Sequence, residues 1–150
     1  MSNAQAIFVR RLRLAVKEAS TLVQEAAQDN HRYTSHSGEL EKSVMMRTLA
    51  NGLTGEVYLE TSIANYGPFV HEGTKARLIF PRKKKMLRWF SNGTAIFAKR
   101  VHHPGTKKDQ FLYNALNDNK VSIDDIFVKH TERAVEDVAG TIRNREYTWR

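Results

Sequence analysis

Ser43-Val44-Met45-Met46-Arg47-Thr48-Leu49-Ala50, then Asn51-Gly52-Leu53-Thr54-Gly55, then Glu56-Val57-Tyr58-Leu59-Glu60-Thr61 is the stretch on which the fold turns. Two strand-like runs flank a segment with two glycines and an asparagine, residue types that supply the positive backbone angles of a hairpin turn. The stretch therefore reads as an antiparallel hairpin. A two-stranded hairpin is marginal alone in water and needs a cover, so the flanking sequence decides the architecture.

Upstream, Ala4 to about Asp29 reads as one long helix, because Phe8, Leu12, Ala15, Ala19, Leu22 and Ala26 recur at three-then-four spacing. Arg10, Arg11, Arg13, Lys17, Glu18 and Glu25 fall mostly on the other face. Such a helix spans roughly 39 Å, and the small alanines of its inner stripe let another helix come close. His31 to Gly38, rich in Ser, Thr and His, reads as a mobile connector, followed by a short helical turn at Glu39 to Lys42.

Downstream, Ser62 to Glu72 is ambiguous, a helical turn interrupted near Gly67-Pro68 and ended by Gly73. Ala76 to Phe80 and Lys85 to Phe90 read as short strands, and Ser91-Asn92-Gly93 turns the chain into a third, Thr94 to Val101. Lys107 to Asn117 reads as a helix with Phe111, Leu112, Ala115 and Leu116 on one side. A second long helix is expected from Ser122, with Ser122 as its cap and Asp124 and Asp125 near its positive end. Its inner face would be Ile123, Phe127, Ala134, Val138 and Ile142, with Arg143 and Arg145 suited to its negative end. The order helix, strands, helix, helix is that of an α+β fold. It predicts a small antiparallel sheet of two hairpins packed against long N- and C-terminal helices plus a short helix. A length of 150 residues predicts one domain, 1–150.

With no cysteine, neither a disulfide nor a thiolate metal site is available. No run of about eighteen apolar residues occurs, and the start lacks the order of a secretory signal, so a chain that neither spans a membrane nor is exported is expected. The net charge of +8 is unevenly placed. From Lys75 to Lys108 stand 11 of the 24 basic residues and no acidic one, leaving 13 basic against 16 acidic residues elsewhere, a balance of −3. The second hairpin, about 75–108, is therefore the basic one.

Tyr66-Gly67-Pro68-Phe69-Val70-His71-Glu72-Gly73-Thr74 resembles the signature of small tail-component proteins of long-tailed bacteriophages, the tail-completion, head–tail joining and neck group. That signature runs aromatic, small residue, a few variable or apolar positions, then an acidic residue and Gly-Thr. The resemblance continues through Lys83 to Trp89 and Phe97 to Thr106 and reaches Phe111-Leu112 with Ala115-Leu116, covering the middle third of the chain. Its ordered elements are Gly73-Thr74, then His103-Pro104-Gly105-Thr106, then Phe111-Leu112. It implies a structural protein of the phage neck or tail end, assembled as a ring with copies of itself and with connector, tail-terminator or tail-tube proteins. The implied location is the virion, with assembly in the host cytoplasm. It brings no catalytic residue and no cofactor.

The residues themselves offer few chemical sites. His71, Glu72, His102 and His103 are types that hold metal. As adjacent pairs, however, they are expected to point apart. His103 is then expected to orient the turn at Pro104-Gly105, and Glu72 to cap the following loop or pair with a lysine. Gly105-Thr106-Lys107-Lys108 has the residues of a phosphate loop in the wrong order and without its upstream glycine. The basic residues Lys75, Arg77, Arg82, Lys83, Lys84, Lys85, Arg88, Lys99 and Arg100 form either a solvated face guarding a strand edge or a contact surface. That surface would suit DNA phosphates or an acidic neighbour, with Trp89, Phe90 and Phe97 as apolar supports. Phe69, Val70, Ile79 and Phe80 read as core or subunit contacts, core first, because a sheet covered by few helices needs every large apolar side chain. A stand-alone, sequence-independent nucleic-acid-binding module is the alternative to the structural role, and a nuclease using His71, Glu72 and His103 comes third.

Overall fold

The computed structural model describes residues 3–146, with side chains described through 143. The fold is α+β. Helix α1 (Asn3–Asp29) leads to the short α2 (Glu39–Ser43), then to strands β1 (Val44–Leu49) and β2 (Thr54–Leu59). Helix α3 (Gly67–Glu72) precedes strands β3 (Arg77–Ile79), β4 (Leu87–Ser91), β5 (Thr94–Ala98) and β6 (Val101–His103), and the chain ends in α4 (Phe111–Asp118) and α5 (Lys120–Glu146).

β1 and β2 pair antiparallel from Val44↔Leu59 to Leu49↔Thr54. Their turn runs through Ala50, Asn51 and Gly52, all at positive φ. The other turn glycine, Gly55, serves packing instead, because a Cβ there would collide with the Ser20 hydroxyl of α1. α1 covers this hairpin and also pins its entry: the Gln24 side-chain amide donates to the Val44 carbonyl at 2.9 Å, and that of Gln28 to the carbonyls of Glu41 and Val44 at 3.1 and 3.2 Å.

The buried stripe of α1 is Ala15, Val16, Ala19, Ser20, Val23 and Ala27, so the expected alanines at 15 and 19 are inside while Phe8, Leu12, Leu22 and Ala26 are half-buried. α5 packs chiefly on α1 rather than on the strands, which corrects the expectation that both terminal helices cover one sheet. The two run antiparallel, held by Arg11 to Asp137 at 2.7 Å and by Glu18 to His130 at 2.8 Å. Among the described residues of α5, Ala134 and His130 are buried, whereas Ile142 is 56% exposed. Ser122 is not its cap: the helix starts at Lys120, one residue after α4, and Asp124 and Asp125 lie beyond its first turn. The Asn119 amide between the helices donates to the Ala115 carbonyl at 2.8 Å. The side chain of Arg145 lies outside the described residues.

The core comprises Val23, Ala27, Leu40, Val44, Ala64, Phe111 and Ala115. Phe111 is its one large aromatic at 0% exposure. It receives the ring of Tyr33 edge-on at 5.3 Å and that of His71 at 5.3 Å, while His31 stacks on Tyr33 at 3.7 Å. These contacts tie the start of the connector after α1 to the core. The buried Asp109 carboxylate accepts from the backbone N–H groups of Arg32 and Tyr33 at 2.6 and 3.0 Å. Burial and the neighbouring Glu41 carboxylate push the Tyr33 hydroxyl well above its ordinary range. Burial pulls the Glu41 carboxyl upward, but hydrogen bonding from Ser35 and the His31 ring at 3.2 Å prevail and hold it below the usual range.

α3 is one uninterrupted turn and a half that begins at Gly67-Pro68, where the sequence pattern suggests a break. Proline in the first turn costs nothing there, since its missing N–H would have no helical partner. Gly67 is buried against Leu40 and Leu59, which leaves no room for a Cβ.

Candidate interaction surface

Residues 74–106 form a protruding antiparallel arm. At its base Thr74 and Thr106 are bridged, with N–H to carbonyl bonds of 3.0 and 3.1 Å in the two directions and a further bond from the Thr106 N–H to Thr74 Oγ1 at 2.9 Å. Next come the rungs Arg77↔His103, Leu78↔His102 and Ile79↔Val101. The outer ladder follows, from Leu87↔Ala98 to Ser91↔Thr94. Five residue steps from Thr74 to Ile79 span about 17 Å of strand and four from Leu87 to Ser91 about 13 Å, with Lys99 and Arg100 between the two ladders. The expected third strand, Thr94 to Val101, is thus split at Lys99-Arg100, and the arm's strands pair with one another rather than joining the β1–β2 hairpin.

The two Gly-Thr corners are a single structural joint. Gly73 (φ 73°) ends α3, and a Cβ on it would sit 2.9 Å from the Thr106 carbonyl oxygen. Gly105 (φ 91°) would in turn drive a Cβ into the Thr74 carbonyl. Each corner needs a glycine because the other corner's backbone occupies the space. His103 Nδ1 accepts the Gly105 N–H at 3.0 Å, holding the turn after Pro104. The Asp109 N–H then donates to the Val70 carbonyl at 3.1 Å, tying the exit of the arm to α3.

Along the arm, seven residues, Phe80 to Met86, oppose only Lys99 and Arg100. Arg82, Lys83, Lys84 and Lys85 therefore loop out beside Lys99 and Arg100, concentrating the charge halfway along. Lys75, Arg77, Arg88 and these six are all exposed, and no ion pair involves any of them among the described residues. Both faces of the outer ladder are apolar. On one face, Arg88 lies over the rings of Phe90 and Phe97 at 4.9 and 5.8 Å. The other carries Leu87, Trp89, Ile96 and Ala98, following the two-residue alternation of strands. Phe80, Phe90 and Phe97 are more than half exposed, and Phe69 is 59% exposed, so Phe69 and Phe80 are not core, while Val70 and Ile79 are half-buried.

A second feature lies at the arm's root. An apolar groove of about 720 Å³ opens between α1 (Ala19, Val23), β2 (Val57, Leu59), α4 (Leu112, Leu116) and α5 (Ile123, Phe127), with His71 and Glu72 at its α3 side. His71 is buried, and its Nδ1 lies 2.8 Å from Glu72 Oε1. This corrects two expectations. The adjacent pair does not point apart, and Glu72 meets a histidine rather than a lysine or the next loop. Among the described residues, His71 Nε2 is buried without a hydrogen-bond partner. Tyr66 is exposed, and Leu112 is half-buried beside Phe111. His102 is exposed opposite Leu78. Among the described residues no group of three His, Cys, Asp or Glu side chains is placed to hold a metal ion. No described helix is long and apolar enough to cross a membrane.

Asp109 and the groove were not legible as functional features in the sequence. An isolated aspartate before a helix reads as a cap, and a groove exists only once four elements converge. Comparison with known protein families, curated proteins and solved structures finds no significant match to this chain.

Proposed function

We propose that this chain is a non-enzymatic structural protein of a tailed phage or prophage, acting in tail completion or head–tail joining as one subunit of a ring. The observation that carries the reading is the arm. A two-stranded ribbon with apolar side chains on both faces cannot bury them by itself, and contiguous exposed apolar surface rimmed by charge marks a protein contact. The ordered motifs that resemble phage tail components, Gly73-Thr74 and His103-Pro104-Gly105-Thr106, form the joint that holds this arm to the body. Closed point-group symmetry is the economical way for a small subunit to satisfy such surfaces. Connector, tail-terminator and tail-tube proteins are the neighbours this reading names, and the virion neck or tail its location.

Native mass spectrometry of the purified chain, with binding assays against neck and tail components, tests the reading. A discrete closed oligomer, or a stable complex with one of those components, is expected. A chain that stays monomeric at high concentration and binds none of them overturns it.

The alternative is sequence-independent nucleic-acid binding, favoured by the nine exposed arm cations and the aromatic rings among them. Phosphate contact works through counterion release, so affinity would fall steeply with salt, with a slope of about 0.9 per duplex phosphate neutralised. Replacing Lys83, Lys84 and Lys85 with alanine would flatten that slope. Tight DNA binding that persists without any phage partner would favour this alternative, and binding indifferent to salt would remove it.

A further inference from the structure

Resting on the ring reading above, we propose that the apolar tip of the arm of one copy seats in the groove between α1, β2, α4 and α5 of the next, so that the ring grows head to tail. Three observations converge on a second copy as the occupant. First, donor and acceptor surfaces are present on the same chain and are not used by it: no arm residue lines the groove, and Trp89, Phe90 and Phe97 stand exposed on the outer ladder of the arm. Second, the charges are complementary. The segment 75–108 carries 11 basic and no acidic residues while the rest of the chain balances to −3, with the exposed Glu72 carboxylate at the groove itself. Third, the groove and the arm tip match in character: the groove is lined mostly by apolar side chains, among them Val23, Val57, Leu59, Leu116 and Phe127, and the tip presents Leu87, Trp89 and Ile96 on one face.

The geometry is heterologous: arm and groove are different patches, so each copy gives one contact and takes another, and the assembly closes into a ring when the rotation between copies permits. The arm leaves α3 directly at Glu72-Gly73, beside its own groove, so the contact given and the contact taken are coupled through the Gly73–Thr106 joint.

The test uses two full-length variants with opposite defects at exposed positions. Trp89→Asp spoils the arm and leaves the groove intact; Leu116→Glu, at a side chain 47% exposed, spoils the groove and leaves the arm intact. Sedimentation is expected to show wild type assembling, each variant alone weakened at least tenfold in self-association, and an equimolar mixture forming a 1:1 dimer that goes no further. Because the mixed dimer needs both variants folded, it also controls for misfolding. A milder change, Trp89→Phe, keeps an aromatic side chain and should weaken assembly less than Trp89→Asp. The chain has no cysteine, so copies carrying Ile96→Cys, opposite Trp89 in the outer ladder, and Leu116→Cys can be mixed and oxidised with Trp89 kept, and a disulfide should join unlike copies only. If wild type and both variants assemble alike, the ring reading stands and the arm-in-groove contact is wrong. If the variants lose only a different neck or tail protein while self-association persists, the groove belongs to that protein and the proposal is overturned. A wild-type chain that is monomeric at every concentration removes the ring reading and this contact with it.

Discussion

Gly105→Ala isolates the joint that holds the arm. At φ 91° an alanine pays for the left-handed backbone, about 1–2 kcal/mol for an L-residue. Its Cβ would also strike the Thr74 carbonyl oxygen and lie 3.0 Å from the Ala76 nitrogen, and those atoms are backbone, which cannot swing aside. Relief requires opening the Thr74–Thr106 bridge, which loses two backbone hydrogen bonds worth about 0.5–1.5 kcal/mol each. Gly93→Ala supplies the control. It has a similar φ of 78° but nothing within 4 Å of its Cβ, so it bears the backbone cost without the collision. The difference between the two variants, about 1–3 kcal/mol, corresponds to roughly a 5–150-fold change in an opening equilibrium. Because the arm's strands pair with each other rather than with the body, this change falls on local opening. Amide hydrogen exchange at Thr74 and Thr106 is therefore the assay, more direct than a melting temperature. Gly105→Ala should strip protection from both amides, while Gly93→Ala should affect the tip and leave them protected. Equal loss in the two variants, or no loss at Thr106 in Gly105→Ala, would refute the reasoning.

Phe111→Ala should destabilise the body by about 3–5 kcal/mol in urea unfolding, because it empties the fully buried position on which Tyr33 and His71 rest. Asp109→Ala removes the carboxylate that receives the Arg32 and Tyr33 N–H groups, a change of about 1.5–3 kcal/mol for bonds to a charged group. It should raise exchange at those two amides first. The hydrogen bond from His130 holds the Glu18 carboxyl below its ordinary value, against a smaller opposing effect of burial and with help from Lys129. A carboxyl whose folded value is depressed stabilises the fold above its unfolded value of 4.5 and loses that contribution as pH falls through the folded value. Glu18→Gln should therefore lower stability at neutral pH and flatten the acid limb of the stability profile below about pH 4.5; an unchanged acid limb would show that the pair contributes nothing to helix docking.

The legibility of this chain follows the range of the forces involved. The first helix, the short turn at Glu39, the first hairpin and the strands about Ser91-Asn92-Gly93 are set by periodicity and turn chemistry within a dozen residues, and they stand where the pattern places them. Local rules misplaced Ser122 as a cap, because a helix can begin one residue after another when Asn119 satisfies the Ala115 carbonyl. They also placed Phe69 and Phe80 in a core that does not extend to them, since apolar character says that a side chain seeks cover but not whether its own chain supplies it.

Composition and order alone determined that the middle of this chain is basic, that it runs as antiparallel strands between helices, and that glycine-threonine corners stand at both of its ends. Tertiary structure alone decided that those corners touch, that the basic strands leave the body as an arm, and that His71 is buried beside a groove the arm does not fill. The reason is distance along the chain. Thr74 and Thr106 are 32 residues apart, and Asp109 and Tyr33 are 76, so their contacts depend on how every intervening element packs. Local preference carries no information about that packing.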